Sequence, residues 1–389
     1  QNLIGSGSSN IITAGTNSSI VGGTGNQHTA GSQNLIGGGA LNTVAAGSNS
    51  TIVGGMSNQQ TTGTQNLIGG GSSNTIAAGT NSTIVGGSGN QQTAGSQNLI
   101  GGGSSNTFAD GSNSTIVGGS GNQHTNGTYN LIGGGSSNTI SAGSNSTIVG
   151  GTGNQQTAGT QNLIGGGTSN TVTAGTNSSI IGGTGNQQTA GSQNLVGGGS
   201  SNTIANGTNS SILGGTGNQH TTGTQNLIGG GSSNTVAAGT NSTIVGGTGN
   251  QHTAGSQNLV GGGSSNTVAD GTNSSIIGGS GNTHTAGSQN LIGGGSSNTI
   301  TNGTYSTVLG GQSNTHTGGT HNLIGGGQTN TITAGTHNAV VSGQTNLISA
   351  GSQNAITGGE DNTISSGNKG AITGGQGNII SSGNNNVIL

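Results

Sequence analysis

From Gly7 to Gly383 a glycine stands at every eighth residue, 48 times without a slip. No other feature limits the fold so strongly. A flexible low-complexity tract has no reason to hold one frame over that length. Helix is disfavoured by the same glycines, each of which costs about 1 kcal/mol in a helix interior. A fixed short period means stacked repeats. With the glycine set as position seven, residues 65–96 read QNLIGGGS, SNTIAAGT, NSTIVGGS and GNQQTAGS. Similarity is highest between units four apart, weaker between units two apart and weakest between neighbours.

Each unit reads as one short strand and one turn. Position six is usually Gly or Ala, with Asp110, Asn126, Asn206, Asp270 and Asn302 as variants. The glycine behind it supplies φ > 0 without a Cβ clash. Positions two to five remain as strand, with side chains alternating between faces. Position four then points one way, and positions three and five the other. Ile36, Ile52, Ile68, Ile76 and Ile84 hold position four as the candidate core, and Phe108 replaces Ile there. Tyr129, Tyr305, Asp361 and Lys369 take position one, and Met56 and Glu360 position eight, so bulky polar groups gather at the turns.

Every fourth unit drops the apolar beat. Position four becomes His28, Gln60, Gln92, His124, Gln156, Gln188, His220, His252, His284 and His316 in turn. Nearest members lie two coils apart, about 9.6 Å, too far to share one metal ion. The row reads as a hydrogen-bonded polar strip in which His stands in for Gln, not as a pH-sensing or metal-binding column. No metal or other cofactor is expected.

Two β architectures accept such units. In a β-solenoid the strands wind in one direction, two units complete a 16-residue coil, and all neighbours are parallel. In an antiparallel cross-β meander, Ile never forms a continuous column. The solenoid keeps Ile segregated, so the pattern predicts an all-β, repetitive β-solenoid with a 32-residue sequence repeat. About 24 coils at about 4.8 Å each would give a rod of about 115 Å. Asn at position two is expected to stack into amide ladders. Outside the first sheet, Leu35 and Leu67 alternate with Thr, and Val53 and Val85 alternate with Gly. This checkerboard suits mating with another copy of itself. Burial of about two Ile or Val per coil is too little to offset the ordering of a whole coil. Backbone bonding, ladders and packing between rods must contribute. Residues 1–320 form the regular array. From 321 to 389 the Gln/His interruption vanishes and the units vary, which suits the cap that solenoids need.

Composition narrows the function classes. The 389 residues include 92 Gly, no Cys, no Pro, one Lys and four acids. No basic footprint for nucleic acid exists. Asp110 and Asp270 stand far apart in the chain, so no paired carboxylates are in view. The turns lack the regular Asp of a calcium β-roll, and the glycine runs lack the strand–helix context of a dinucleotide fingerprint. An enzyme is not expected. No stretch approaches the roughly 20 apolar residues of a membrane helix. No signal peptide is visible at Gln1, and the lack of Cys leaves the redox compartment open. Asn-Ser-Ser/Thr triplets, as at Asn17, Asn49 and Asn81, fall at position one; they read as products of repeat duplication, though a secretory pathway would present them for glycosylation.

Units such as SNTIAAGT and NSTIVGGT, with their eight-residue strand and 16-residue sub-period, resemble lacewing egg-stalk silk along the whole chain. That resemblance implies folded cross-β sheet and a stiff, secreted, extracellular fibre. The chain departs from it in being richer in Asn and Ile and in lacking Cys for cross-linking. The expected function is a structural fibre or matrix protein that self-associates into filaments or stacked sheets. Uncharged Thr-bearing faces also resemble antifreeze solenoids, which makes an ice surface the alternative partner. Here Thr75, Thr83 and Thr93 point outward, but no sheet is expected to carry an unbroken Thr-x-Thr array. The Gly-, Asn- and Ser-phased units further resemble trimeric adhesin heads, so a bacterial surface adhesin or filament stalk is a third reading.

Overall fold

In a computed structural model that describes all residues from Gln1 to Leu389, the chain is a parallel β-solenoid with 16 residues per coil and no helix. Its residues group into two compact units, Gln1–Gln193 and Asn194–Leu389. The change of sequence pattern near residue 320 falls inside the second unit.

Each coil contributes one short strand to each of two sheets. Leu67–Ile68 pairs with Thr83–Ile84, residue for residue and parallel. Thr75–Ile76 pairs in the same sense with Gln91–Gln92. The first sheet carries Ile or Val at every inward position four and is termed here the isoleucine sheet. The second alternates Ile or Val with Gln or His and is termed the alternating sheet. Backbone bonds run from each coil to the next: Leu67 N–H donates to Ser82 O at 2.9 Å, Gly69 N–H to Ile84 O at 2.9 Å and Thr75 N–H to Asn90 O at 2.8 Å. The antiparallel meander does not form, because these pairings are parallel and join each residue to its equivalent one coil on.

The core lies between the sheets. Ile36, Ile52, Ile68 and Ile84 stack from one side, and Ile76 and Phe108 come from the other; all six are buried. A two-sheet coil has no further layer, so position four, flanked at the corners by the buried Asn and Ser of position two, fills this space.

Although Gly47, Gly79 and Gly143 are not left-handed at the opposite corner, two left-handed residues make each corner that leads into the alternating sheet. One is the invariant glycine: Gly71 has φ 81°, and a Cβ there would strike the Gly87 carbonyl oxygen. The other is position one, where Gln65 and Ser73 have φ 58° and 56°. A left-handed residue with a side chain costs about 1–2 kcal/mol. Only the units that begin with Gly, such as Gly89 at φ 65°, announce this second bend. The bend places the position-one N–H on the preceding coil, as in Ser73 N–H to Met56 O at 2.9 Å.

Position two turns its side chain inward at that corner. The Asn74 Nδ2 group donates to Gly70 O at 2.9 Å and to Gly87 O at 3.0 Å. Its Oδ1 accepts from Asn90 N–H at 3.0 Å. The ladder therefore differs from the expected one: the amides bond to the backbone of their own and neighbouring coils, not to one another. The corner leaves carbonyls and an N–H facing inward, and buried backbone groups require partners. Asn supplies a donor pair and an acceptor from one short side chain.

Asn74→Ala should cost about 2–4 kcal/mol, since it strips three bonds and leaves the Asn90 N–H buried without an acceptor. Denaturant unfolding gives the size of the loss, and hydrogen exchange should show lowered protection at the Asn90 amide. Unchanged protection there would refute the role given to the side chain.

Candidate functional site

No three His, Asp or Glu side chains gather into a metal-ligating group. Two surface depressions lie at the chain ends, one against Gln1, Asn2 and Asn17, the other against Asn368, Lys369 and Asn384. The features that run through the coils are long rows: a polar row inside the alternating sheet, and the outer faces of both sheets.

The polar row is buried throughout, from His28 and Gln60 to His316. Position-seven glycines make room for it. A Cβ on Gly239 would crowd the His252 ring, and one on Gly47 would press on the Gln60 amide. Each imidazole meets an Asn of the isoleucine sheet: Asn34 Nδ2 lies 2.8 Å from His28 Nε2, and Asn130 Nδ2 lies 2.9 Å from His124 Nε2. The Asn amide donates, so Nε2 is the acceptor and the ring proton is assigned to Nδ1. Gln92 donates from Nε2 to Ser82 Oγ at 2.6 Å. At Gln60, Gln156 and Gln188 neither amide atom has a partner among the protein atoms. The expected hydrogen-bonded strip thus exists at the His through Nε2, with Nδ1 unpartnered, and at Gln92 through one amide atom. At the other three Gln it does not form, although Ser82 Oγ accepts from Gln92 while giving its own bond to Thr80 O at 3.1 Å. Asn66 Nδ2, beside Gln60, gives its bond to Gly79 O at 2.7 Å, and Ser50 Oγ gives its bond to Ser48 O at 3.0 Å.

A sequence signal for this arrangement lies outside the eight-residue frame. Every Gln or His of the row has a Ser ten positions earlier: Ser18 before His28, Ser82 before Gln92, Ser306 before His316. Where position four of the alternating sheet is Ile, the residue ten earlier is Asn, as in Asn66 before Ile76, except at Ile380, which follows Gly370. Beyond His316 the Ser disappears, and Asn322 and Asn338 precede Ile332 and Ile348. The short Ser leaves the volume that a longer Gln or His occupies.

Burial is the main influence on the imidazoles. It pushes His124, His220, His252, His284 and His316 down to about 4, and lowers His28 as well. Asp110 opposes this at His124, and Asp270 at His252 and His284, both more weakly than burial acts.

The outer face of the isoleucine sheet exposes Leu35, Leu67, Val53 and Val85, with Leu67 at 36% and Val85 at 53%. At position one, Tyr305, His321 and His337 stack with ring centroids 4.9 and 4.8 Å apart. Sequence reading passed over this exposed aromatic ladder, although the 16-residue spacing was its signal. No protein-family model and no curated protein matches the chain.

Two outcomes follow from the buried row. An imidazole that titrates near 6.5 when unfolded and about 4 when folded binds more protons in the unfolded chain between those values. Stability should be full above about pH 6.5 and fall as pH drops toward 4, by up to about 3 kcal/mol per His. Denaturant midpoints from pH 7 to pH 4 read this slope, and changing His220 and His252 to Gln should flatten it; a wild-type profile without slope contradicts neutral burial. Separately, Gln156→Ile should stabilise the chain by about 1–3 kcal/mol, because it removes unpaired buried amide atoms. His220→Ile should gain less, since Asn226 Nδ2 loses its ring partner at 2.9 Å. A destabilised Gln156→Ile would show instead that the polar row is structurally required.

Proposed function

We propose that the chain is a structural protein: an element of a stiff, extracellular, β-rich fibre or matrix that works by self-association. The observation that carries this reading is the in-register pairing within each unit, each residue against its equivalent one coil on, with outer faces that are neutral and almost free of charge. Such a surface offers nothing to steer a charged substrate. It offers a periodic template for other β structure. The resemblance to egg-stalk silk adds support at the level of the repeat.

A second reading, ice binding, is favoured by one stretch of the alternating sheet. Thr283 and Thr285, Thr299 and Thr301, Thr315 and Thr317, and Thr331 and Thr333 stand at positions three and five of four consecutive coils. Thr283, Thr299, Thr315 and Thr331 are register partners in sequence. The expectation that no unbroken Thr-x-Thr array occurs is therefore corrected over these coils. Hydroxyls and methyls recur there about every 4.8 Å along the stack and about 6.7 Å along the strand.

The purified chain separates the readings. Fibre formation should rise with concentration, and oriented fibres should give a meridional reflection at about 4.7–4.8 Å. A chain that stays monomeric at high concentration and gives no such reflection rejects the structural role. Thermal hysteresis and ice shaping by the same sample would favour the Thr array, and their absence removes it.

A further inference from the structure

The three glycines of QNLIGGGS have unequal reasons to be glycine. Gly71 is left-handed, at φ 81°. Gly69 lies against the next coil, where a Cβ would collide with the Val85 carbonyl oxygen. Gly70 has neither constraint: a Cβ there would meet nothing within 4 Å, and its φ lies outside the left-handed region. The same holds for Gly54, Gly86 and Gly102 in the first unit and for Gly198 and Gly230 in the second. The alternating sheet provides an internal comparison. Its position six holds Ala46, Thr62, Asp110 and Asn126, so this point of the coil accepts side chains. Apart from Ser6 and Ser342, the isoleucine sheet keeps glycine there with no reason inside its own coil.

Beside this bare row stand exposed apolar side chains. Position three alternates Leu with Thr or Ser, and position five alternates Val, Ile or Leu with Gly. Val85 is 53% exposed in the first unit, and Leu309 is 52% exposed in the second. No charged residue occupies positions three to six of this sheet anywhere in the chain. The apolar row ends after Val341, where position five becomes Thr357 and then Thr373.

We propose that this face docks on the same face of a second copy of the chain, with the Leu row of one copy lying over the glycine row of the other. The inference rests on the self-association reading above and assigns its surface and symmetry. Three observations select a second copy over another partner. The face repeats every two coils, about 9.6 Å, and a second copy offers the same repeat at every contact. It carries no charge for a charged partner to recognise. The first unit spans about twelve coils, so its face measures about 58 by 13 Å. That area, about 750 Å², matches the roughly 800 Å² per partner of a stable interface. A two-fold axis along the coil stack reverses the order of positions across the face and sets position three opposite position six. The bare glycine then lets the partner's Leu approach the backbone closely.

The test uses the full chain and two sets of substitutions. The first places Asn on the glycine row: Gly70→Asn, Gly86→Asn, Gly102→Asn and Gly118→Asn. The second places Asn at the same position of the alternating sheet: Ala78→Asn, Ala94→Asn, Ala142→Asn and Ala158→Asn. Sedimentation velocity reads association, and far-ultraviolet circular dichroism with thermal unfolding reads the fold. The wild type and the second set should associate alike. The first set should keep its fold and associate at least a hundredfold more weakly. Should the first set fail to fold, Leu67→Thr with Leu99→Thr and Leu131→Thr gives the same readout, because Thr83 already stands at that position in the neighbouring coil. A folded first set, or folded Leu variants, that associate like the wild type overturn the inference. If only the second set loses association, the fibre reading stands and this face is the wrong one. A wild-type chain that stays monomeric at every concentration, with no fibre, rejects both readings.

Discussion

The corner amide at position two is the interaction on which the rest depends. At the corner into the alternating sheet, where position two is Asn in every coil, two left-handed residues at positions seven and one turn the chain sharply and leave backbone groups facing inward. Asn74 meets those groups with both donors and its acceptor, at 2.9–3.0 Å. Its Oδ1 reaches the amide of the next coil, so each corner helps to form the one after it. This accounts for a composition with so little apolar mass. A parallel, in-register stack presents every residue with its own equivalent one coil away, so a corner that works once works in every coil. The core then has only to exclude water between two sheets, and the side chains of position four suffice for that.

The solenoid itself is legible in the sequence because its two strongest rules act on composition. The left-handed glycine admits almost no substitute, and position four admits only what fits between two sheets, with Phe108 as the extreme case. Other parts are hidden because different physics selects the same residue types. Asn at position two serves an amide ladder or a backbone clamp equally well as a letter, and only geometry separates them. The second left-handed bend is masked because Gln65, Ser73, Asn81 and Lys369 all adopt it without a shared chemical signature. The unpaired amides of Gln60 and Gln156 could not be read at all, since pairing depends on ångström-scale reach.

Glycine shows the same ambiguity within a single motif. Gly69, Gly70 and Gly71 are identical letters with three different backgrounds: close approach of a neighbouring strand, open space, and a left-handed backbone. Only the structure distinguishes a glycine required by the coil from one whose explanation lies outside it. The comparison with Thr62 and Asn126, which precede left-handed glycines in the other sheet, turns open space into information, because it removes the turn itself as a cause.

The inner and outer alternations are one pattern. In the isoleucine sheet a coil with Asn at position two carries Leu at three and Gly at five, as in Asn66, Leu67 and Gly69. A coil with Ser at two carries Thr or Ser at three and an exposed Val, Ile or Leu at five, as in Ser82, Thr83 and Val85. Ser leaves room inside for Gln or His, while the Val85 carbonyl approaches Gly69 outside. Both alternations fade within the same coils: Asn338 replaces Ser, Ala339 replaces Thr, and past Val341 the outer row turns to Thr. Duplicating a single coil would set two coils of one type side by side. For a Ser-type coil this would press a Val carbonyl on a residue that is not glycine, or leave a Gln or His without its Ser. Duplicating a pair of coils preserves every pairing at once. Up to His316 the sequence period is therefore twice the coil, because a Ser-type coil needs an Asn-type coil beside it, matched across the interior and across the surface together; past Asn338 coils without the Gln or His insert stack directly on one another.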